Sequence, residues 1–162
     1  MFISGTRYAF ADPLNEGCMH LFGFSREQVY DEFLKEQVDE RYGKTPHQLI
    51  QWIGTDIIRD RIGEEHWIQI MKGKIDATPP DVPILITDVS FNNEARFIQL
   101  LGGTVIQIVR PEGTTGKDVS EAGIDPDLID SIIVNDGTKE ALWQKVKDAV
   151  LEQWSDEEQK LV

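Results

Sequence analysis

The chain has 162 residues, 40% hydrophobic and 28% charged, which fits one compact globular domain and argues against intrinsic disorder. A chain of this length buries roughly 70% of its unfolded surface, so folding requires no disulfide and no structural metal. With 16 Lys and Arg against 29 Asp and Glu, the net charge is −13, the wrong balance for a protein that coats DNA or RNA through phosphate contacts.

That charge leaves open a partner that is itself basic. A single cysteine, Cys18, excludes an internal disulfide framework and any CxxC metal site. The opening MFISGTRYAF holds no apolar run of signal-peptide length, and no stretch approaches the ~18 apolar residues of a membrane span. A cytoplasmic location with no membrane partner is the expectation.

In chain order, Arg7-Tyr8-Ala9-Phe10 is a short strand candidate that runs into Asp12, and Pro13 opens a helix holding Cys18. The middle third is helical. Thr45 before Pro46 is an N-cap with proline at the first helical position, and Leu49, Ile50, Ile53, Ile57, Ile58 and Ile62 recur at helical spacing until Gly63. A short helix with Trp67, Ile68 and Met71 follows. Thr78-Pro79-Pro80-Asp81 marks a loop, and Pro83 to Val89 reads as a buried strand. A helix is predicted over Asn92–Leu101, stopped by Gly102-Gly103. Strands follow at Thr104–Val109 and Ser131–Val134, separated by a Gly/Thr-rich loop from Pro111 to Lys117. The last helix starts near Thr138 with Leu142, Val146, Ala149 and Val150 on one face, and a solvated tail is expected from Ser155 to Val162. This order predicts an α/β fold with a mostly parallel sheet flanked by helices.

Asp88 ends the best strand, where open α/β sheets place ligands, and Phe91, Asn92, Asn93 and Glu94 follow at a helix start. The group fits a polar site for a metal-bound phosphate or a sugar hydroxyl. It fits better a helix cap, with Asn92 or Asn93 as N-cap and Glu94 favoured by the dipole. Asp12 carries the same two readings. Arg110, closing a strand, can reach a phosphate, stack on a base or stay inert. Trp52 and Trp67 read as core or groove packing. His20, His47 and His66 lack ligand spacing, Cys18 reads as a buried thiol, and no GxSxG elbow occurs. Nowhere do the 162 residues contain GxxxxGK followed by Ser or Thr.

Tyr8-Ala9-Phe10-Ala11-Asp12-Pro13-Leu14, Val38-Asp39-Glu40-Arg41-Tyr42-Gly43-Lys44-Thr45-Pro46, Leu49 through Gly54-Thr55-Asp56, and Trp67 resemble the phage deoxynucleoside monophosphate kinases. The resemblance continues through Ile86-Thr87-Asp88-Val89-Ser90-Phe91-Asn92-Asn93-Glu94-Ala95 and Leu101 to Pro111. Ser120-Glu121-Ala122-Gly123 and Ile133 to Thr138 complete it, so that it spans residues 7 to 151 collinearly. It implies a P-loop NTPase fold of the nucleoside monophosphate kinase type and a phage or prophage origin. The expected organisation is one domain over 1–154, with a helical insert at about 25–78 that corresponds to the nucleotide-binding insert, and a tail over 155–162.

Family members precede the segment equivalent to Tyr8 with a strand, a phosphate-binding Walker A loop and a helix, whereas here Met1 to Arg7 precede it. The resemblance therefore implies a truncated fold whose central first strand is absent. That gap is closed by direct pairing of its neighbours, by another segment or by another chain, a homodimer among the options. Asn15 stands where the family commonly has lysine, His47 where it has arginine, Ser90 where Asp-x-Arg ends, and Asp118 where a histidine is frequent. These changes remove cationic contacts from a reaction that depends on them.

The expectation is a non-catalytic relative acting as a binding protein, with no cofactor and no metal. Its partner would be a protein with a basic surface, such as a host or defence protein that the chain inhibits. A retained nucleotide pocket would draw on Asp12, Arg41, Tyr42, His47 and Gln48, and on Trp67, Asp88, Asn93, Glu94 and Arg110. The alternative is an active kinase converting ATP and dNMP to ADP and dNDP, its phosphate loop supplied by another chain or by upstream sequence. Asp12, Asp88 and Arg110 would then be catalytic, with Mg²⁺ near Asp12 and Asp88. A remnant without activity is the third reading.

Overall fold

A computed structural model describes residues 5–111 and 123–160, with side chains as far as Leu151. The loop residues 113–117, Asp118 and Ser120-Glu121-Ala122 lie outside the described residues. The chain divides into two compact units, Met1–Val89 and Ser90–Val162.

In the first unit, β1 (Thr6–Tyr8) leads into α1 (Asp12–Phe22), α2 (Arg26–Tyr30) and a 3-10 turn (Leu34–Glu36). After them come α3 (Pro46–Gln51), a π-helix (Trp52–Ile62), α4 (His66–Asp76) and β2 (Ile84–Ile86). β1 and β2 pair in parallel, Thr6 opposite Ile84 and Tyr8 opposite Ile86. α1 stops because Gly23 takes a left-handed φ of 64°, which lets the Phe24 amide donate back to the Met19 carbonyl at 3.1 Å. Reciprocal capping boxes start α2 at Ser25 and α3 at Thr45. Phe24, Val29 and Leu49 form the buried core of these helices, with Met19, Phe22, Tyr30 and Ile50 packed against it.

The helical run expected to continue regularly to Ile62 changes winding at Trp52. The Gly63 amide donates to the Ile58 carbonyl at 3.0 Å, a five-residue spacing, and the wider turn puts both Gly54 and Arg59 in the interior. Gly54 lets Leu14 pack close there, since a Cβ would come within 2.4 Å of Leu14 Cδ2 and that side chain would have to shift. Trp52, the first residue of the π-helix, is half exposed.

The second unit comprises α5 (Asn92–Leu100), β3 (Ile106–Val109), a 3-10 turn (Pro126–Leu128), β4 (Ser131–Val134) and α6 (Lys139–Lys160). β3 and β4 are parallel, Ile106 opposite Ser131 and Val109 opposite Val134. α6 runs through Lys160, so the backbone of 155–160 is helical. Mixed helices and strands with parallel pairing match the predicted α/β class. The pairing among the described residues takes the form of two two-stranded sheets. Among the described residues no helix is long and apolar enough to cross a membrane.

Candidate functional site

β1 and β2 are parallel, so their carboxyl ends lie on the same side, where the chain places the two expected carboxylates, Asp12 as the first residue of α1 after β1 and Asp88 after β2. Asp88, just beyond β2, accepts the Phe10 amide through Oδ1 at 2.8 Å and the Ala11 amide through Oδ2 at 2.9 Å. Those two peptides form the elbow between β1 and α1, and Asp12 is the next residue. The helix cap proposed for Asp12 is not made: Ala11 is the N-cap residue. Its carboxylate instead takes the Arg7 guanidinium, Nη1 lying 3.1 and 2.9 Å from the two oxygens. The Asp12 side chain is mostly buried, whereas that of Arg7 is more than half exposed. Arg7 is the functional candidate that sequence reasoning missed, because its value comes from the register of β1 and no motif marks it.

Trp67 flanks the same elbow, lining a shallow crevice with Ala9, Phe10, Pro13, Ile70, Met71 and Lys74. Its indole Nε1 donates to the Gly54 carbonyl at 3.4 Å, and its ring meets that of His66 edge-on. Trp67 thus joins the π-helix to α4, consistent with its reading as packing. Arg59 on the π-helix is a second residue the sequence did not single out. Its guanidinium-bearing side chain is buried, and the only signal was a charge inside an apolar helical run.

The remaining nucleotide candidates are engaged in local structure. Arg41 donates from Nε and Nη2 to the two oxygens of Asp39, at 2.9 and 2.6 Å, and lies over the rings of Phe24 and Tyr42. This guanidinium hydrogen bond holds the Asp39 carboxyl well below the usual carboxylate range. The Tyr42 hydroxyl donates to the Phe22 carbonyl at 2.8 Å. His47 pairs with Glu36, and the Gln48 side chain accepts the Thr45 amide at 3.0 Å. Burial pushes the Cys18 thiol up, in keeping with an inert thiol.

In the second unit, Glu94 is buried and accepts the amides of Ser90 at 3.0 Å and Phe91 at 3.3 Å. The capping reading thus holds for Glu94, but neither Asn92 nor Asn93 is the cap. Phe91 occupies that position, Asn92 Oδ1 accepts the Asp125 amide at 2.8 Å, and Asn93 Oδ1 accepts the Glu94 amide at 3.1 Å. Arg110 is exposed beyond β3.

A family model described as deoxynucleotide monophosphate kinase matches residues 7–146. The chain belongs to the deoxynucleotide monophosphate kinase family. It is 33% identical over 157 residues to a putative deoxynucleotide monophosphate kinase of Acanthamoeba polyphaga mimivirus, covering 88% of this chain and 81% of that protein. It is 31% identical over 104 residues to the deoxynucleotide monophosphate kinase of Escherichia phage RB69, covering 62% of this chain and 42% of the phage protein. For the Enterobacteria phage T4 kinase the identity is 27% over 106 residues, and 44% of that protein is covered. The match therefore spans less than half the length of either phage relative.

Magnesium and ATP are the groups this family implies. Mg²⁺ in such sites is held by one or two carboxylates together with substrate phosphates. Here both oxygens of Asp88 accept backbone amides and both oxygens of Asp12 face Arg7. Among the described residues no three His, Cys, Asp or Glu side chains converge on a common point. A metal ion at either carboxylate would have to share or displace these contacts.

Proposed function

We propose that these 162 residues form a deoxynucleoside monophosphate-binding protein of the kinase family that does not itself transfer phosphate. The observation that carries the reading is the convergence of Arg7, Asp12 and Asp88 at the carboxyl end of the β1–β2 pair, the place where α/β sheets receive ligands. Arg7 offers an accessible cation to the monophosphate. Asp12 offers an acceptor to a sugar hydroxyl or a base amine. Transfer between two polyanions needs cations arrayed around the moving group, and this elbow pairs its arginine with a carboxylate.

The test is γ-phosphate transfer from labelled ATP to each of the four dNMPs with Mg²⁺, alongside calorimetric titration of the same nucleotides. Binding of a dNMP without transfer is the expected result. Transfer abolished by Asp88→Ala would overturn the non-catalytic reading and favour an active kinase, the activity named for its relatives. The charge of −13 supports a further binding role toward a basic protein surface, such as that of a host or defence protein the chain would inhibit. Such an interaction would weaken steeply with salt, and a salt-insensitive one would speak against it.

A further inference from the structure

We propose that Asp88 is a positioning residue that acts through the peptide backbone on Asp12. Its two oxygens hold two successive amides, Phe10 at 2.8 Å and Ala11 at 2.9 Å, across 77 or more residues of sequence. A bidentate grip on adjacent peptides fixes their planes, and the peptide after Ala11 carries the Asp12 side chain. Without the grip the elbow keeps only ties within its own segment, the Asp12 amide on the Ala9 carbonyl at 3.3 Å, which is long for a hydrogen bond, and the Asn15 amide on the Ala11 carbonyl at 2.9 Å. Neither sets the direction of α1 against β2. The carboxylate is well placed for the task, because the two amides it holds are those of the N-cap residue of α1, Ala11, and of the residue before it, and the N-terminal end of a helix favours negative charge. Asp12 in turn aligns Arg7, so one residue after β2 orders an ion pair attached to β1.

The ligand-binding part of this inference rests on the nucleotide reading above, but its structural part does not. Two measurements on the full chain separate them. The first is amide hydrogen exchange in the wild type, Asp88→Ala and Asp88→Asn. Asp88→Ala should speed exchange at Phe10 and Ala11 by about tenfold or more relative to the amide of Met71 in α4, the factor expected for losing a hydrogen bond of ordinary strength. Asp88→Asn, which keeps a single acceptor oxygen, should release one of the two amides and also serves where the alanine variant is unstable. Unchanged protection at both amides overturns the proposal.

The second measurement is a cycle of Asp12→Ala, Asp88→Ala and the double variant, read as the Kd for dTMP in EDTA and in Mg²⁺. If Asp88 acts through Asp12, the double variant should bind within about twofold of the weaker single variant. Losses that multiply, or an Asp88→Ala loss that appears only with Mg²⁺, would identify an independent or metal-ligating role and overturn it. A wild type that binds no dTMP would refute the nucleotide reading alone, with the exchange measurement deciding the role of Asp88.

Discussion

Replacing Thr45 tests whether the residues resembling a nucleotide site in this segment are structural. The Thr45 hydroxyl accepts the Gln48 amide at 3.1 Å, and the Gln48 side chain returns an acceptor to the Thr45 amide at 3.0 Å. Thr45→Ala leaves an amide in the first turn of α3 without its acceptor, a loss of about 1 kcal/mol. Thr45 is 7% exposed, so removing its methyl group adds roughly 0.8 kcal/mol of lost burial. The sum is about 2 kcal/mol. Gln48→Ala, which removes the other half of the box, should cost about 1 kcal/mol, and the double variant should fall short of additivity by about 0.5 kcal/mol. With a urea slope of about 2 kcal/mol/M, Thr45→Ala lowers the unfolding midpoint by roughly 1 M. Both variants should bind dTMP as the wild type does under conditions where they remain folded. A midpoint within about 0.2 M of wild type for Thr45→Ala, or a tenfold loss of dTMP affinity for folded Gln48→Ala, would refute the assignment.

The Asp39 carboxyl is depressed by Arg41, so its contribution to stability is present above the unfolded pKa near 3.9 and is lost as pH falls through the lower folded value. Carbon-detected titration should find Asp39 ionised at pH 3, and Arg41→Gln should return it toward about 4; ordinary titration in the wild type would refute the pairing. Asp136 is likewise lowered, first by its hydrogen bond from Lys145, and Lys145→Met should raise its titration midpoint in the same experiment. Gly5→Ala would set a Cβ 2.8 Å from the Pro83 carbonyl oxygen beside the β1–β2 pair. Because the obstacle is backbone, a loss of about 1–3 kcal/mol is expected in a thermal melt, and an unchanged Tm would show that the strands move apart freely.

Much of this arrangement is written in local chemistry. Thr45-Pro46 marked the start of α3, Gly63 the end of the helical run, and Ser131–Val134 the last strand, because caps, breakers and β-branched runs act over a few residues. Asp12 and Asp88 were recognisable as strand-end carboxylates for the same reason. Their partners were not. The Phe10 and Ala11 amides carry no side-chain signature, and Arg7 reaches Asp12 only because β1 ends where it does. The π-winding from Trp52 escaped because apolar spacing of three and four is shared by both helix types over a short run, while the packing of Gly54 on Leu14 is a long-range fact. The asparagines of α5 illustrate competition between equivalent caps: Glu94 takes the Ser90 and Phe91 amides, and Asn92 holds Asp125.

The strand pairs also govern how this protein must be handled. Leu85 on β2 and Ile132 on β4 are 57% and 59% exposed, so each parallel pair turns apolar side chains to water, a face that such sheets ordinarily keep covered. Mutual repulsion from a charge of −13 keeps these faces apart at neutral pH. Near the isoelectric point of about 4.5, or in concentrated salt, that repulsion vanishes while the apolar faces remain. The chain then becomes colloidally sticky, and capture experiments run in acid would recover its own aggregates in place of a specific ligand.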